Sequence, residues 1–174
     1  MNVKGELQRA GVILITMDSL DYNKGVLKTM EDLSPEKIVY VILDKTYMSI
    51  DTNFKQNGID TANVFYINIT REKIGAKEST KHYYLSSNSA LTELAIVINN
   101  LLKRGYTHIV FDSITNLLIY NDGMKTRKFL IDLTNKIKQA NAKGVYYAIE
   151  NDSTKDLINN MNMVVDKTIA LSLR

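Results

Sequence analysis

The chain contains no cysteine, so it can form no disulfide and offers no thiolate to a metal. That fits a reducing compartment, and a cytoplasmic protein is expected. Histidine is scarce: His82 and His108 stand in different kinds of segment, without metal-ligand spacing and without a companion nucleophile. Neither sign of charge dominates. The 22 basic and 19 acidic residues leave a net charge of +3, too balanced to argue by itself for nucleic acid as a partner. No segment approaches the roughly 18 consecutive apolar residues of a membrane span, so no membrane association is expected. The opening MNVKGELQRAGVILIT has a charged lead but only a short apolar run and no small-residue cleavage site, which is not the form of a signal peptide. The sequon Asn68-Ile69-Thr70 is idle in a cytoplasmic protein. Internal repeats, low-complexity tracts and linkers are also missing. With 45% hydrophobic and 24% charged residues, the chain reads as one ordinary globular domain spanning 1–174. Its seven methionines are scattered, which suits core filling rather than a binding groove.

What is present is alternation. Gly11–Thr16, Lys37–Leu43, Val64–Ile69, His108–Phe111 and Val145–Ile149 are short, nearly continuous apolar runs, the form of strands covered by helices on both faces. Met163–Val165 and Thr168–Leu173 also read as strands. Between the runs lie helical patterns. Ser89–Lys103 puts Leu91, Leu94, Ala95, Ile98, Leu101 and Leu102 on one face and stops at Gly105; Met124–Ala142 aligns Phe129, Leu130, Leu133, Ile137 and Ala140 and stops near Gly144. Such alternation predicts an α/β fold with a three-layer αβα arrangement and a mostly parallel sheet. The two residues Asp166-Lys167 between the last two strands predict an antiparallel edge hairpin. Thr70–Asn88 is polar, long for a connection in a compact domain, and reads as a functional or mobile loop.

Ligands of open α/β sheets sit at the carboxyl ends of the strands. There the sequence places Asp18, Asp44, Asp112 and Glu150. Hard cations take carboxylates, so one reading is a site for a metal or a metal-bound nucleotide. A phospho-acceptor domain of the receiver type would need an Asp ending the third strand and a Lys ending the fifth; Thr70 and Glu150 hold those positions and exclude it. The simpler reading is helix capping, which suits Asp18, Ser19, Asp21 and Asp152 because short acidic and hydroxyl side chains satisfy free backbone N–H groups.

The stretch THIVFDSITNLLIY is a hydrophobic strand ending in Asp112-Ser113 and running into a hydrophobic helix start. It resembles the Walker B strand of RecA-superfamily ATPases, particularly the KaiC-like branch. KIVYVILD resembles the family's second strand, Gly58-Ile59-Asp60 its link to the third, and Ala148-Ile149-Glu150 with the segment from Met163 to Leu171 its closing strands. The resemblance extends over nearly the whole chain and implies a RecA-like sheet. It implies that Asp112 would hold Mg²⁺ through water and that Asp44 stands where the family usually has a glutamate. It also implies a phosphate loop, G-x-x-x-x-G-K-S/T, after the first strand. The corresponding residues are Met17, Asp18, Ser19, Leu20, Asp21, Tyr22, Asn23 and Lys24, and none of the diagnostic positions matches. Met17 and Tyr22 replace the glycines that let phosphate approach the backbone. Asp18 and Asp21 would face a polyphosphate with like charge. Lys24 falls one place late, about 100° around a helix from the lysine position.

Two functions follow from these residues. The first is a KaiC/RecA-like domain without catalysis and without a cofactor, serving as a regulatory or assembly module for a protein partner or for further copies of itself. Its candidate surfaces are Thr70–Asn88, with Tyr83 and Tyr84, and Tyr120–Arg127. In it Asp112 has a structural role, accepting bonds from Ser19 or backbone N–H groups. The alternative is an unconventional nucleotide or metal site built from Asp44, Asp112, Ser113 and Glu150, with Lys24 or Lys45 on phosphate. Nucleic-acid binding has little support: Lys125, Arg127, Lys128, Lys136 and Lys138 lie near one helix but are interrupted by Asp122 and Asp132, and a solvated helix face is expected.

Overall fold

The computed structural model describes residues 1–70, 77–86 and 90–172. Asn2 opens a short helix, α1 (Val3–Arg9), its side chain accepting from the Gly5 N–H at 2.8 Å. The chain continues through β1 (Val12–Met17), α2 (Tyr22–Leu33), β2 (Ile38–Leu43), α3 (Tyr47–Gln56), β3 (Val64–Thr70) and β4 (His82–Ser86). Then come α4 (Ala90–Lys103), β5 (His108–Asp112), α5 (Leu117–Tyr120), α6 (Gly123–Gln139), β6 (Lys143–Ile149), α7 (Lys155–Asn162) and β7 (Lys167–Leu171).

The seven strands form one sheet in the order β4-β3-β2-β5-β6-β1-β7, and every neighbouring pair is parallel. β1 and β2 are buried at each position, which is why their sequences do not alternate in polarity. Their side chains nevertheless alternate in direction. Val12 and Leu14 point into a core shared with α4, α6 and α7, whereas Ile13, Ile15 and Met17 point into a second core shared with α1, α2 and α3. Each helix meets the sheet through one stripe: Val26, Met30 and Leu33 from α2, and Phe129, Leu130, Leu133 and Ile137 from α6. The result is three layers.

The order of crossovers places the candidate site. β1 and β2 lead into helices on one face, α2 and α3, while the neighbouring β5 and β6 lead into helices on the other, α6 and α7. Such reversals open a crevice at the carboxyl ends of the central strands.

Two expectations are corrected at the sheet edges. The last strands do not form an antiparallel hairpin. Met163–Val165 is a turn that closes α7, and β7 runs parallel to β1, with Ile13 opposite Lys167 and Met17 opposite Leu171. The reason is α7 itself: a helix between β6 and β7 carries the chain back across a face, and such a crossover returns parallel. At the other edge, part of the expected loop is a strand. β4 pairs with β3 on its inner side, and His82 stacks on Tyr47 of α3 with ring centroids 4.5 Å apart.

Asp166 fastens the β7 edge. One carboxylate oxygen accepts from the buried Val12 N–H at 2.8 Å, the other pairs with Lys138 at 2.6 Å, and the Asp166 N–H donates back to Val12 O at 2.8 Å. Asp166→Ala strands the Val12 N–H, and a buried donor without a partner costs about 1–3 kcal/mol. The expected outcome is a loss of that size in urea denaturation, with hydrogen-exchange protection falling in β7 and unchanged in β2 and β3.

Candidate functional site at the carboxyl ends of the central strands

The turn between β1 and α2 is closed by one of its own residues. The Asp18 carboxylate accepts from the backbone N–H groups of Leu20 at 2.9 Å and Asp21 at 3.0 Å. In a phosphate-binding turn such N–H groups point at the ligand. Here two of them are taken by a carboxylate of the chain. Asp21 is the buried N-cap residue of α2, and its carbonyl accepts from the Gly25 N–H. Ser19 is exposed and does not cap the helix.

The side chains flanking the turn are packed. Met17 is buried, and a Cβ placed on Gly25 would come within 3.1 Å of its sulfur and 2.7 Å of Leu171 Cδ2. Gly25 thus lets the first turn of α2 lie close against β1 and β7. Tyr22 sets its ring edge-on to Tyr147 of β6, centroids 6.3 Å apart, and Lys45 Nζ lies over the Tyr22 ring, 5.2 Å from its centroid. Asn23 and Lys24 point into solvent.

The acids of the strand ends do not converge. Asp44 is exposed and holds a left-handed backbone, φ 66°, where β2 turns into α3. Glu150 is exposed at the end of β6. Asp112 is only 3% exposed and turns into the sheet's α2–α3 side, where the Tyr40 hydroxyl donates to it at 2.6 Å. Ser19, the expected donor to Asp112, does not reach it; a tyrosine from the neighbouring strand does. Among the described residues no group of three or more histidine, aspartate or glutamate side chains is placed to hold a metal. Ser113 is buried and shares a hydrogen bond with Thr115 at 2.9 Å, and Thr115 accepts from the Ile149 N–H, so the turn after β5 is stitched to β6. The helical turn after β6 is capped by Asn151 and Thr154 reciprocally, with Asp152 inside it rather than at the cap.

Burial pushes the Asp112 carboxyl up to about 7. The Tyr40 bond opposes this, because a donor to the charged form favours it. Burial also drives the Tyr40 hydroxyl well above its ordinary range, with Tyr147 and Tyr66 adding to the effect. Among the described residues the fully buried Tyr147 hydroxyl makes no hydrogen bond of good geometry, with Thr29 its nearest polar neighbour. Tyr40 and Tyr147 went unnoticed in the sequence because each stands inside an apolar run and counts as core until strand pairing brings Asp112 beside it.

Tyr84 is buried, and Tyr83 packs on the core and donates to Glu93 at 2.8 Å. Residues 71–76 and 87–89 of that segment lie outside the described residues. Tyr120–Arg127 is the short turn from α5 into the first turn of α6.

This layered parallel sheet is similar to that of a KaiC-like protein from the hyperthermophilic archaeon Pyrococcus horikoshii OT3. The match has a TM-score of 0.68 and 16% identity and covers 94% of this chain and 72% of that one. The fold is therefore α/β with an all-parallel sheet, consistent with a RecA-like fold. The chain belongs to DUF7504, a family of unknown function whose model matches residues 17–171. The curated proteins provide no match. No helix among the described residues is long and apolar enough to cross a membrane.

Asp112→Asn tests the buried acid. In the wild type the folded state holds the Asp112 proton more tightly than the unfolded chain does. Its contribution to stability therefore falls as pH rises from about 4, the unfolded value, to about 7, and stays low above that. The variant carries no such proton. Its stability relative to wild type should improve across that window by up to about 1.4 kcal/mol per pH unit, read by urea melts at a series of pH values.

Proposed function

We propose that the chain is a catalytically inactive KaiC/RecA-like domain that serves as a regulatory or assembly module, acting through a protein partner or through further copies of itself. The observation that carries this reading is the Asp18 carboxylate on the Leu20 and Asp21 N–H groups. A phosphate entering there would have to displace a bonded carboxylate and then share a partly exposed turn with it. Like charges a few ångströms apart cost on the order of several kcal/mol under such conditions. The degenerate phosphate-loop positions support the same conclusion: Met17 and Tyr22 fill with side chains the places where glycine would admit a phosphate, and Lys24 faces solvent.

The remaining acids are poorly disposed for metal-assisted hydrolysis. Asp112 is held by Tyr40 within the core, and Asp44 and Glu150 lie at the surface. A structural part for Asp112, tying β5 to β2, accounts for its burial without any nucleotide. An α/β domain that keeps its sheet and lacks its phosphate seat retains its surfaces, and those are what a regulatory subunit uses.

Thermal shift with ATP, GTP and cyclic dinucleotides, with and without Mg²⁺, tests the inactive reading. A ligand at a hundred times its Kd adds about 2.7 kcal/mol, several degrees in Tm for a chain of this size. The expected result is no shift with any of them. A Mg²⁺-dependent ATP shift that Asp112→Ala abolishes would overturn the reading in favour of an unconventional nucleotide site. Light scattering tests the module reading, with a homo-oligomer or a defined complex expected; a strict monomer that takes no protein partner counts against it.

A further inference from the structure

The basic residues near α6 do not form one face. Lys138 turns to Asp166, and Arg127 lines a groove with Met124, Leu157 and Asp156. Lys125, Lys128 and Lys136 line a different groove, about 400 Å³, between α6 and α4. Along α6 they fall at i, i+3 and i+11, one stripe about 17 Å long. The floor beside them is apolar, made by Phe129 and Leu133 of α6 and Ala95 of α4. The far wall carries Ile96, which is 56% exposed.

Two features set this groove apart from an ordinary solvated helix pair. The α4 sequence from Leu94 to Leu102 carries no charge, although Ile96 and Asn100 of that span are exposed. A solvent-facing helix normally puts charge on its outer face. The lysines, by contrast, are sparsely satisfied. Lys125 has an exposed pair with Asp122 at 3.4 Å, and among the described residues Lys128 and Lys136 form no ion pair. Asp132 is the single acid lining the groove, against three lysines.

We propose that the α4–α6 groove docks an acidic amphipathic helix of a partner protein. This rests on the module reading above and names its partner chemistry. A helix laid between two helices buries an i, i+3, i+4, i+7 stripe against their apolar floor, the recurring helix-in-groove mode. Its flanking glutamates or aspartates would meet the lysine stripe, and complementary charge of that kind sets orientation and speeds encounter. A span of about 17 Å matches about three helical turns of the partner. The shape argues against two other anionic occupants. A bilayer surface is met by a convex amphipathic face rather than by a cleft. Nucleic acid calls for a basic stripe that tracks the phosphates, and here half of the lining is aliphatic or aromatic.

The test uses a fluorescent acidic peptide of about fourteen residues, roughly four turns, with leucines in the i, i+3, i+4, i+7 pattern and glutamates on its flanks, followed by anisotropy with the full chain. Saturable binding is expected, weakening with salt, together with increased hydrogen-exchange protection of the wild type at 91–96 and 125–136. The same peptide with lysine in place of glutamate should not bind. Ile96→Glu and the double variant Lys128→Glu/Lys136→Glu should each weaken binding at least about tenfold, as losing close charge pairs or a buried anchor does. Lys155→Glu, a surface change outside the groove, should leave it unchanged, and melting curves show that each variant folds. Absence of saturable binding overturns the proposal, as does equal binding of the lysine peptide. Stronger binding of phosphatidylserine vesicles or duplex DNA, sensitive to the same variants, overturns it too. If the peptide fails while light scattering shows an assembly, the groove proposal falls and the module reading stands.

Discussion

The carboxyl edge of this sheet depends on how the first turn satisfies its own backbone. A helix begins with N–H groups that have no partner within the helix, and the turn leading into it adds more. Anion-binding folds leave such donors for a ligand. Here Asp18 takes two of them, and the neighbouring side chains settle around that choice. Met17 lies against Gly25, and Tyr22 sets its ring edge-on to Tyr147.

The same logic extends to Asp112. A parallel sheet covered on both faces has little use for a charged side chain along its length, since a buried carboxylate needs either a counter-charge or strong donors. Tyr40 from the adjacent strand supplies one donor, and burial raises the proton affinity of the acid. The pair links β2 to β5 through their side chains as well as through their ladder. The strand-end acid is thus held within the core by a tyrosine of the adjacent strand.

Much of this was legible in the sequence. The apolar runs announced β1, β2, β3, β5 and β6, because strands buried on both faces cannot disguise themselves. The stripes of α4 and α6 were equally plain. β4 was not, because HYYLS is short, half-polar and an edge strand set within a polar stretch that reads as a loop. α7 was hidden for another reason. It buries only Leu157 and Met161, and its asparagines give it the look of a loop. Missing that one helix turned a parallel edge into an expected hairpin. At the site, the sequence pointed to the turn and to Asp112. It could not reveal the partner of Asp112, since Tyr40 lies 72 residues away and only strand order brings the two together. Nor could composition divide the lysines of α6 among separate surfaces, which depends on what α4 and the segment before β7 place beside them.

The packing of Met17 and Tyr22 has a consequence for how such a sequence can drift. On the reading proposed above each stands where a phosphate loop would require glycine, and each is packed, Met17 against Gly25 and Tyr22 against Tyr147. Exchanging Met17 for glycine would not yield half a binding site. It would leave a hole beside Gly25, at the several kcal/mol typical of removing a buried side chain of that size, while Asp18 still held the turn's N–H groups. The losses come singly and any gain would come only when all the changes were in place. For a domain with the usual narrow stability margin, that path descends before it rises. The first turn is a ratchet: it accepts substitutions that keep it closed and penalises each separate step toward opening it.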